Sequence, residues 1–224
     1  MAAFFVTATG TEIGKTFVTA GLIRHFRATG QRIGAIKPVM TGYDPAAAAT
    51  SDAGVLLQAL GRKPWPATVE NMAPWHFRAP LSPDMAAARE GRRIDTDVLF
   101  AHCRVAMEST RGILLIEGIG GVMVPLDETR TVLDWMRALD IPLLLVTGSY
   151  LGAISHTLTA IEALARAQLR VRVLIVNESA GSTVPLGDTM DSIGRFAAGI
   201  PLVALRRDAT ADDPAFARIA ALMN

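Results

Sequence analysis

The order of its apolar runs predicts that this chain folds as a doubly wound α/β protein around a mostly parallel sheet. Short apolar runs at residues 3–7, 32–39, 112–118, 141–148 and 171–177 alternate with amphipathic stretches. The runs are apolar at almost every position rather than every second one, which marks strands covered on both faces. Strand, helix, strand repeated in this way calls for right-handed crossovers. At 224 residues the chain fits a single domain spanning 1–224. Ligands of such folds gather beyond the carboxyl ends of the strands, so the informative positions follow residues 7, 37, 117, 147 and 177.

Each element has its own local reason. "AFFVT" (3–7) opens the sheet. Val18, Leu22 and Phe26 then fall at i, i+4 and i+8 with Ile23 alongside, and Gly30 is a natural stop. "RIGAIKPV" (32–39) is the next strand, cut by Pro38. "GYDPAAAATS" (42–51) is a small-residue loop leading into a helix near Asp52, with Ser51 as its candidate cap. Residues 61–84 carry five of the twelve prolines and predict an ordered but irregular excursion. A helix from about Asp95 to Thr110 follows, capped by Asp95 or Thr96. "GILLIEG", "IPLLLVTG" and "VRVLIVN" supply further strands, and Ile154, Leu158, Ile161 and Ala165 form a helical stripe between the last two. "TADDP" reads as a turn before a final short helix.

Composition narrows the function. Half the residues are apolar, and the net charge of +1 gives no bulk attraction to nucleic acid or to an anionic membrane. The apolar runs are too short to span a bilayer. The start "MAAFFVTATG" lacks the basic lead of a signal peptide, so a soluble cytoplasmic protein is expected. Cys103 is the only cysteine, which excludes an intrachain disulfide and suits a reducing compartment. It lies in a helical pattern as a core residue rather than a nucleophile.

Local motifs carry the chemistry. "GTEIGKT" (10–16) sits between a strand and a helix and ends in the Gly14-Lys15-Thr16 of a phosphate loop. The first glycine of the general pattern would fall on Thr9, with Gly10 one place late. Successive amides from Thr11 to Phe17 would wrap an anion at a helix N-terminus, where the helix dipole adds attraction. Lys15 would reach the β- and γ-phosphates and the Thr16 hydroxyl would hold Mg²⁺. The competing reading is a glycine-bearing turn with a solvated lysine; the strand before and the helix after favour phosphate. In "AIKPV", Lys37 ends a strand and would place a second ammonium on the same rim. In "LLIEGIGG" (114–121), Glu117 ends an apolar strand where a further Mg²⁺ oxygen belongs, and the following glycines permit close backbone approach. Asp52 is the candidate third oxygen, or else an ordinary helix-start residue.

Together "VTATGTEIGKT", "IKPVMTG", Asp52, "APLSPD", "IEGIGG", "YLGAISH" and "IVNES" resemble the dethiobiotin synthetase family, in the same order and at similar spacing from about Phe4 to Asn177. The family's loop, T-G-T-x-T-E-x-G-K-T, accounts for the missing glycine at position 9. The chain departs from it with Ala8 where glycine is usual, Gly10 at the variable position, Thr41 where serine is frequent and Ser155 where asparagine is common.

The resemblance implies a P-loop NTPase-like fold and an ATP- and Mg²⁺-dependent ligase that closes a cyclic urea from 7,8-diaminononanoate and CO₂. It implies that Glu12, Ile13, Gly14, Lys15, Thr16 and Phe17 cradle the ATP phosphates, with Glu117, Gly118, Ile119 and Gly120 beside the nucleotide. Thr16, Asp52 and Glu117 would hold the metal, and Lys37 with Lys15 would be catalytic. Thr11, Lys37, Thr41 and Ser82 would meet the diamine or its carbamate, and Asn177 would read adenine. Leu151, Gly152, Ala153 and Ser155 would take the diamine's carboxylate from the neighbouring subunit of a homodimer, with His156 as a cap or packing residue. A second adenine-side element falls either at Gly199-Ile200-Pro201 or at "ALRRD" (204–208).

The alternative is an ATPase switch of the partition or septum-placement type, which shares the deviant loop. Those proteins carry an early loop lysine, K-G-G-x-G-K-[ST], where this chain has Thr9, Gly10 and Thr11. Amidotransferase synthetases of corrinoid precursors have a similar loop but an added glutaminase domain with a nucleophilic cysteine, and this chain has neither.

Overall fold

A computed structural model describes residues 2–197 and 199–223. In chain order it holds β1 (Ala2–Ala8), α1 (Lys15–Ala28), β2 (Ile33–Ile36), β3 (Val39–Met40), a 3₁₀ turn (Pro45–Thr50), α2 (Asp52–Ala59), α3 (Pro66–Met72), β4 (Trp75–His76) and α4 (Pro83–Arg89). The second half holds α5 (Thr96–Ser109), β5 (Ile113–Glu117), α6 (Val132–Leu139), β6 (Leu143–Gly148), α7 (Ala153–Arg166), β7 (Val171–Asn177), α8 (Leu186–Phe196), β8 (Leu202–Leu205) and α9 (Pro214–Met223).

Six strands make one sheet in the order β2-β5-β1-β6-β7-β8, and every pairing in it is parallel. Apolar residues cover both faces, as the unbroken apolar runs require: Phe4, Val6, Leu144 and Ile175 face one core, Phe5, Leu114, Leu145 and Leu174 the other. β1 is central, and the chain winds outward from it in both directions, β5 on one side and β6 on the other. The crevice of a doubly wound sheet opens at such a reversal of strand order. The phosphate loop leaves β1 at that point.

Several elements differ from what the sequence predicts. The run 32–39 is not one strand: β2 stops at Ile36, and Val39–Met40 leaves the sheet to pair with Trp75–His76. Pro38 cannot donate to a ladder and restricts Lys37 before it, so the sheet ends there. The proline-rich segment 61–84 is more regular than expected, because Pro66 and Pro83 each occupy a first helical position, where a missing N–H costs nothing. On α7 the buried stripe is Ala153, Thr157, Ala160 and Leu164, one position before the expected one; Ile154 and Ile161 flank it and Ala165 is exposed. Asp95 caps α5 by accepting from the Val98 amide, as expected. Cys103 is fully buried there, with its thiol pushed up to about 12 by burial. No helix among the described residues is long and apolar enough to cross a membrane.

Ser51 caps α2 through the Gly54 amide at 3.1 Å, and this start brings Asp52 to the sheet rim. A Cβ on Gly54 would stand 2.0 Å from the Ala48 carbonyl oxygen, part of the backbone of the preceding turn. Gly54→Ala is therefore expected to destabilise the protein by about 1–3 kcal/mol from overpacking, despite alanine's better helix propensity. Urea unfolding checks this; a midpoint at or above that of the parent would contradict it.

Candidate active site

Strand register alone assembles the centre of the site. Ile36 of β2 lies opposite Ile116 of β5, and Glu117 of β5 opposite Val6 of β1. The residues that follow, Lys37 and Glu117, are thus neighbours on the rim, and the loop after β1 returns Lys15 and Thr16 to the same place. Lys37 Nζ lies 2.9 Å from Glu117 Oε1 and 3.3 Å from Asp52 Oδ2, and it donates to the Gly118 carbonyl at 2.7 Å. Lys37 is 1% exposed and Glu117 0%. Burial alone would lower the Lys37 pKa, but Glu117 and Asp52 outweigh it and raise it, so the ammonium persists. The same contact reverses the effect of burial on Asp52 and lowers its pKa.

Lys15 is built differently. Its Nζ donates to the carbonyls of Gly120 at 2.8 Å and Gly10 at 3.1 Å. Burial and the nearby Lys37 charge bring its pKa down to about 8, against the smaller pull of Glu117 and Asp52. An ammonium destabilised in this way gains from an arriving polyanion.

The loop backbone is shaped to receive one. Glu12 and Gly14 both adopt left-handed conformations, with φ of 58° and 101°, in the kind of turn that gathers amides into a concave nest. The amides of Lys15, Thr16 and Phe17 open α1 and have no intrahelical acceptor. Gly14 has no room for a side chain, since a Cβ would fall 2.3 Å from Asn177 Nδ2. Asn177, at the end of β7, donates that amide to the Ile13 carbonyl at 2.9 Å. Its Oδ1 is buried without a partner, so the acceptor end of the amide stays available to a ligand.

The oxygens suit a hard cation. Thr16 Oγ1 lies 2.9 Å from Asp52 Oδ1 and 2.8 Å from Glu117 Oε1. One hydroxyl proton cannot satisfy both contacts. Glu117 Oε2 is buried without a partner as well. A hydroxyl and two carboxylates gathered at one point, with phosphate oxygens to complete them, are the hard donors Mg²⁺ takes. Among the described residues no cluster of three or more His, Cys, Asp and Glu stands ready for a metal, so a cation here would need such outside ligands.

These groups line one cavity of about 630 Å³. Thr11, Glu12, Gly14, Lys15, Thr16, Lys37, Thr41, Asp52, Ser82, Ile119 and Gly120 all border it. Glu117 and Gly118 stand behind through their contacts with Lys37. Ser82 Oγ is buried without a partner and therefore free for a ligand. The sequence reading missed the apolar wall of Pro80, Leu81, Pro83 and Val124. The "APLSP" string was its only signal. Phe17 turns the other way and packs against Phe216, ring centroids 6.3 Å apart, so only its amide serves the loop.

Leu151, Gly152, Ala153 and Ser155 do not border this cavity. Leu151 is 89% exposed and Ala153 fully buried. His156 is a packing residue rather than a helix cap: its ring lies against Tyr150, centroids 5.8 Å apart, and its Nδ1 pairs with the Tyr150 hydroxyl at 2.8 Å. Residues 199–201 precede β8 and lie at the amino edge of the sheet. Arg206 to Asp208 follow it on the Asn177 side, where the Arg207 amide donates to Glu178 at 3.1 Å.

Comparison with known proteins agrees with this geometry. A family model described as an AAA domain matches residues 2–205. The chain is 50% identical over 202 residues to the ATP-dependent dethiobiotin synthetase BioD of Acidiphilium cryptum, covering 90% of this chain and 91% of that one. It is 46% identical over 213 residues to the protein of the same name from Methylobacterium nodulans, covering 92% and 94%. Among solved structures it resembles the cell division ATPase MinD of Pyrococcus furiosus, with TM-score 0.52 and 16% identity over 93% of this chain and 84% of that one. The signal recognition particle receptor FtsY of Elizabethkingia anophelis gives TM-score 0.55 at 12% identity, over 100% of this chain and 65% of that one. At such identity these two show a shared fold alone.

The depressed Lys15 pKa makes a test. At about pH 9, roughly one unit above its value, most of Lys15 is neutral, and a bound triphosphate should recharge it. Calorimetry in two buffers of different ionisation enthalpy should show close to one proton taken up per nucleotide at that pH, and far less near pH 6.5. Equal heats in both buffers at the higher pH would contradict the placement of Lys15 against the phosphates.

Proposed function

The chain belongs to the dethiobiotin synthetase family, and on that premise we propose how its residues carry out the ATP-dependent closure of the ureido ring from 7,8-diaminononanoate and CO₂. The observation that carries the proposal is the buried, charged Lys37, held between Glu117 and Asp52 on the wall of the cavity that also holds Lys15.

One amine of the diamine adds to CO₂ and loses a proton, giving a carbamate. The carbamate oxygen attacks the γ-phosphorus of ATP and ADP leaves. The second amine then attacks the carbonyl carbon of the mixed anhydride, the C–O bond breaks and phosphate departs. No protein nucleophile is needed, because both amines are held on one molecule and ring closure is intramolecular. Positioning and charge stabilisation are the protein's main tasks. The nest from Glu12 to Phe17 would hold the phosphates, and Lys15 and Lys37 would neutralise charge on the phosphoryl group in transfer. Thr16, Asp52 and Glu117 would hold Mg²⁺, which when bound would supply charge neutralisation to the triphosphate.

Recognition divides along the cavity. Thr11, Thr41 and the unpartnered Ser82 hydroxyl would meet the diamine or its carbamate, while Pro80, Leu81 and Val124 offer an apolar surface to its aliphatic chain. The free Oδ1 of Asn177 would accept from the exocyclic amine of adenine and would face a carbonyl in guanine. The exposed turn at Leu151 stands outside its own cavity, and we propose a homodimer in which Leu151, Gly152 and Ser155 meet the neighbour's substrate, while Ala153, buried and with its amide bound to the Tyr150 carbonyl, only holds the turn from beneath. The whole chain would then act as one domain, soluble in the cytoplasm.

An ATPase switch shares the fold but not the substrate requirement. Phosphate release from ATP should depend on both the diamine and bicarbonate; equal release without them would favour the switch. Lys37→Ala should retain nucleotide affinity and lose turnover on the order of 10²-fold or more, the usual scale for a group stabilising transition-state charge. Near-normal turnover of that variant would remove Lys37 from the reaction.

A further inference from the structure

A line of threonines runs from the phosphate loop to the start of α7. Thr9 Oγ1 lies 3.1 Å from Thr147 Oγ1, and Thr147 Oγ1 lies 2.7 Å from Thr157 Oγ1. Thr157 Oγ1 in turn donates to the Ala153 carbonyl at 2.6 Å. Thr147 and Thr157 are fully buried.

The direction of the chain follows from its end. A carbonyl only accepts, so the Thr157 proton is committed to Ala153. The Thr147–Thr157 contact must then use the Thr147 proton, and the Thr9–Thr147 contact the Thr9 proton. Each hydroxyl donates toward α7, an arrangement in which successive bonds polarise one another.

What lies at the far end is a turn held at its base. The Ala153 amide donates to the Tyr150 carbonyl at 2.9 Å. Ser149 and Ser179 exchange amide-to-hydroxyl bonds at 3.0 Å each, and the Tyr150 hydroxyl pairs with His156. The tip, Leu151 and Gly152, is exposed to solvent. At the near end, Thr9 opens the loop that would close on the phosphates, and its amide is bound to the Val146 carbonyl at 3.0 Å.

We infer that Thr147 is a positioning residue that couples the phosphate loop to the turn Tyr150–Ala153, so that nucleotide in the loop sets the posture of that turn. The consequence for turnover rests on the proposed function, in which this turn serves the substrate of a neighbouring subunit. Nucleotide binding in one subunit would then prepare the other's site. A line of contacts counts as coupling only when both ends are shown to respond together, so the test measures both.

Thr147→Val keeps the volume and removes the link. Thr157 still donates to Ala153, and Thr9, at the edge of the core, can turn to water, so neither end keeps a buried unpaired donor. In the full-length protein, a non-hydrolysable ATP analogue should slow amide exchange of residues 149–158 by about threefold or more. Thr147→Val should bind the analogue as the parent does but lose that slowing, and Thr147→Ser should retain it. In turnover, Thr147→Val should raise the diamine KM on the order of tenfold, the common size of such couplings. If Thr147→Val does not fold, Thr157→Ala breaks the next link and gives the same readout. Analogue binding with no change at 149–158 in the parent, or an unaltered response in Thr147→Val, overturns the coupling while the proposed function stands. Failure of the parent to bind the analogue at all overturns both.

Discussion

A lysine ammonium and a carboxylate, both out of contact with water, meet at the end of two adjacent parallel strands. The Lys37–Glu117 pair has a high desolvation cost, and such pairs persist only where geometry and extra hydrogen bonds compensate. Here the compensation comes from Asp52, the Thr16 hydroxyl and the Gly118 carbonyl. Asp52 opens α2, Thr16 stands in the first turn of α1 and Gly118 follows β5, which lies between β2 and β1 in the sheet. Removing either partner of such a pair strands a buried charge, at a typical cost of about 3–5 kcal/mol. The fold and the site therefore depend on the same contact.

The two lysines divide the work because their surroundings differ. Lys37 faces two carboxylates and keeps its charge; Lys15 faces two carbonyls and a neighbouring ammonium, and its pKa falls to about 8. Lys37 is the fixed cation in the wall, and Lys15 is the one whose charge an arriving anion would stabilise most. Asn177, at the end of β7, ties the phosphate loop to a further strand, because its amide donates to the Ile13 carbonyl while its buried Oδ1 stays unpaired. A threonine chain on the other side of β1 ties the same loop to α7.

Much of this is legible in the sequence because a parallel sheet writes its strands as unbroken apolar runs. Lys37 before Pro38, Glu117 before glycines and the Gly14-Lys15-Thr16 end of the loop stand at run ends, which the fold class alone places on one rim. Other features are less visible. β8 is four residues long and alternates in burial, as an edge strand does, so it gives no continuous run. α6 is only eight residues long and follows an irregular stretch, although Val132, Trp135, Met136 and Leu139 keep helical spacing behind the capping box of Thr131 and Asp134. The apolar cavity wall comes from a proline-rich excursion whose path no periodicity specifies. The threonine chain is beyond sequence reading, since Thr9, Thr147 and Thr157 meet only through tertiary packing.

The most direct measurement is a crystal structure grown with Mn²⁺ and a non-hydrolysable ATP analogue, with the metal located by its anomalous signal. The account predicts a peak at Thr16, Asp52 and Glu117, with the γ-phosphate between the Lys15 and Lys37 ammonium groups. A metal peak elsewhere, or a triphosphate lying away from the loop of Glu12 to Thr16, would contradict it.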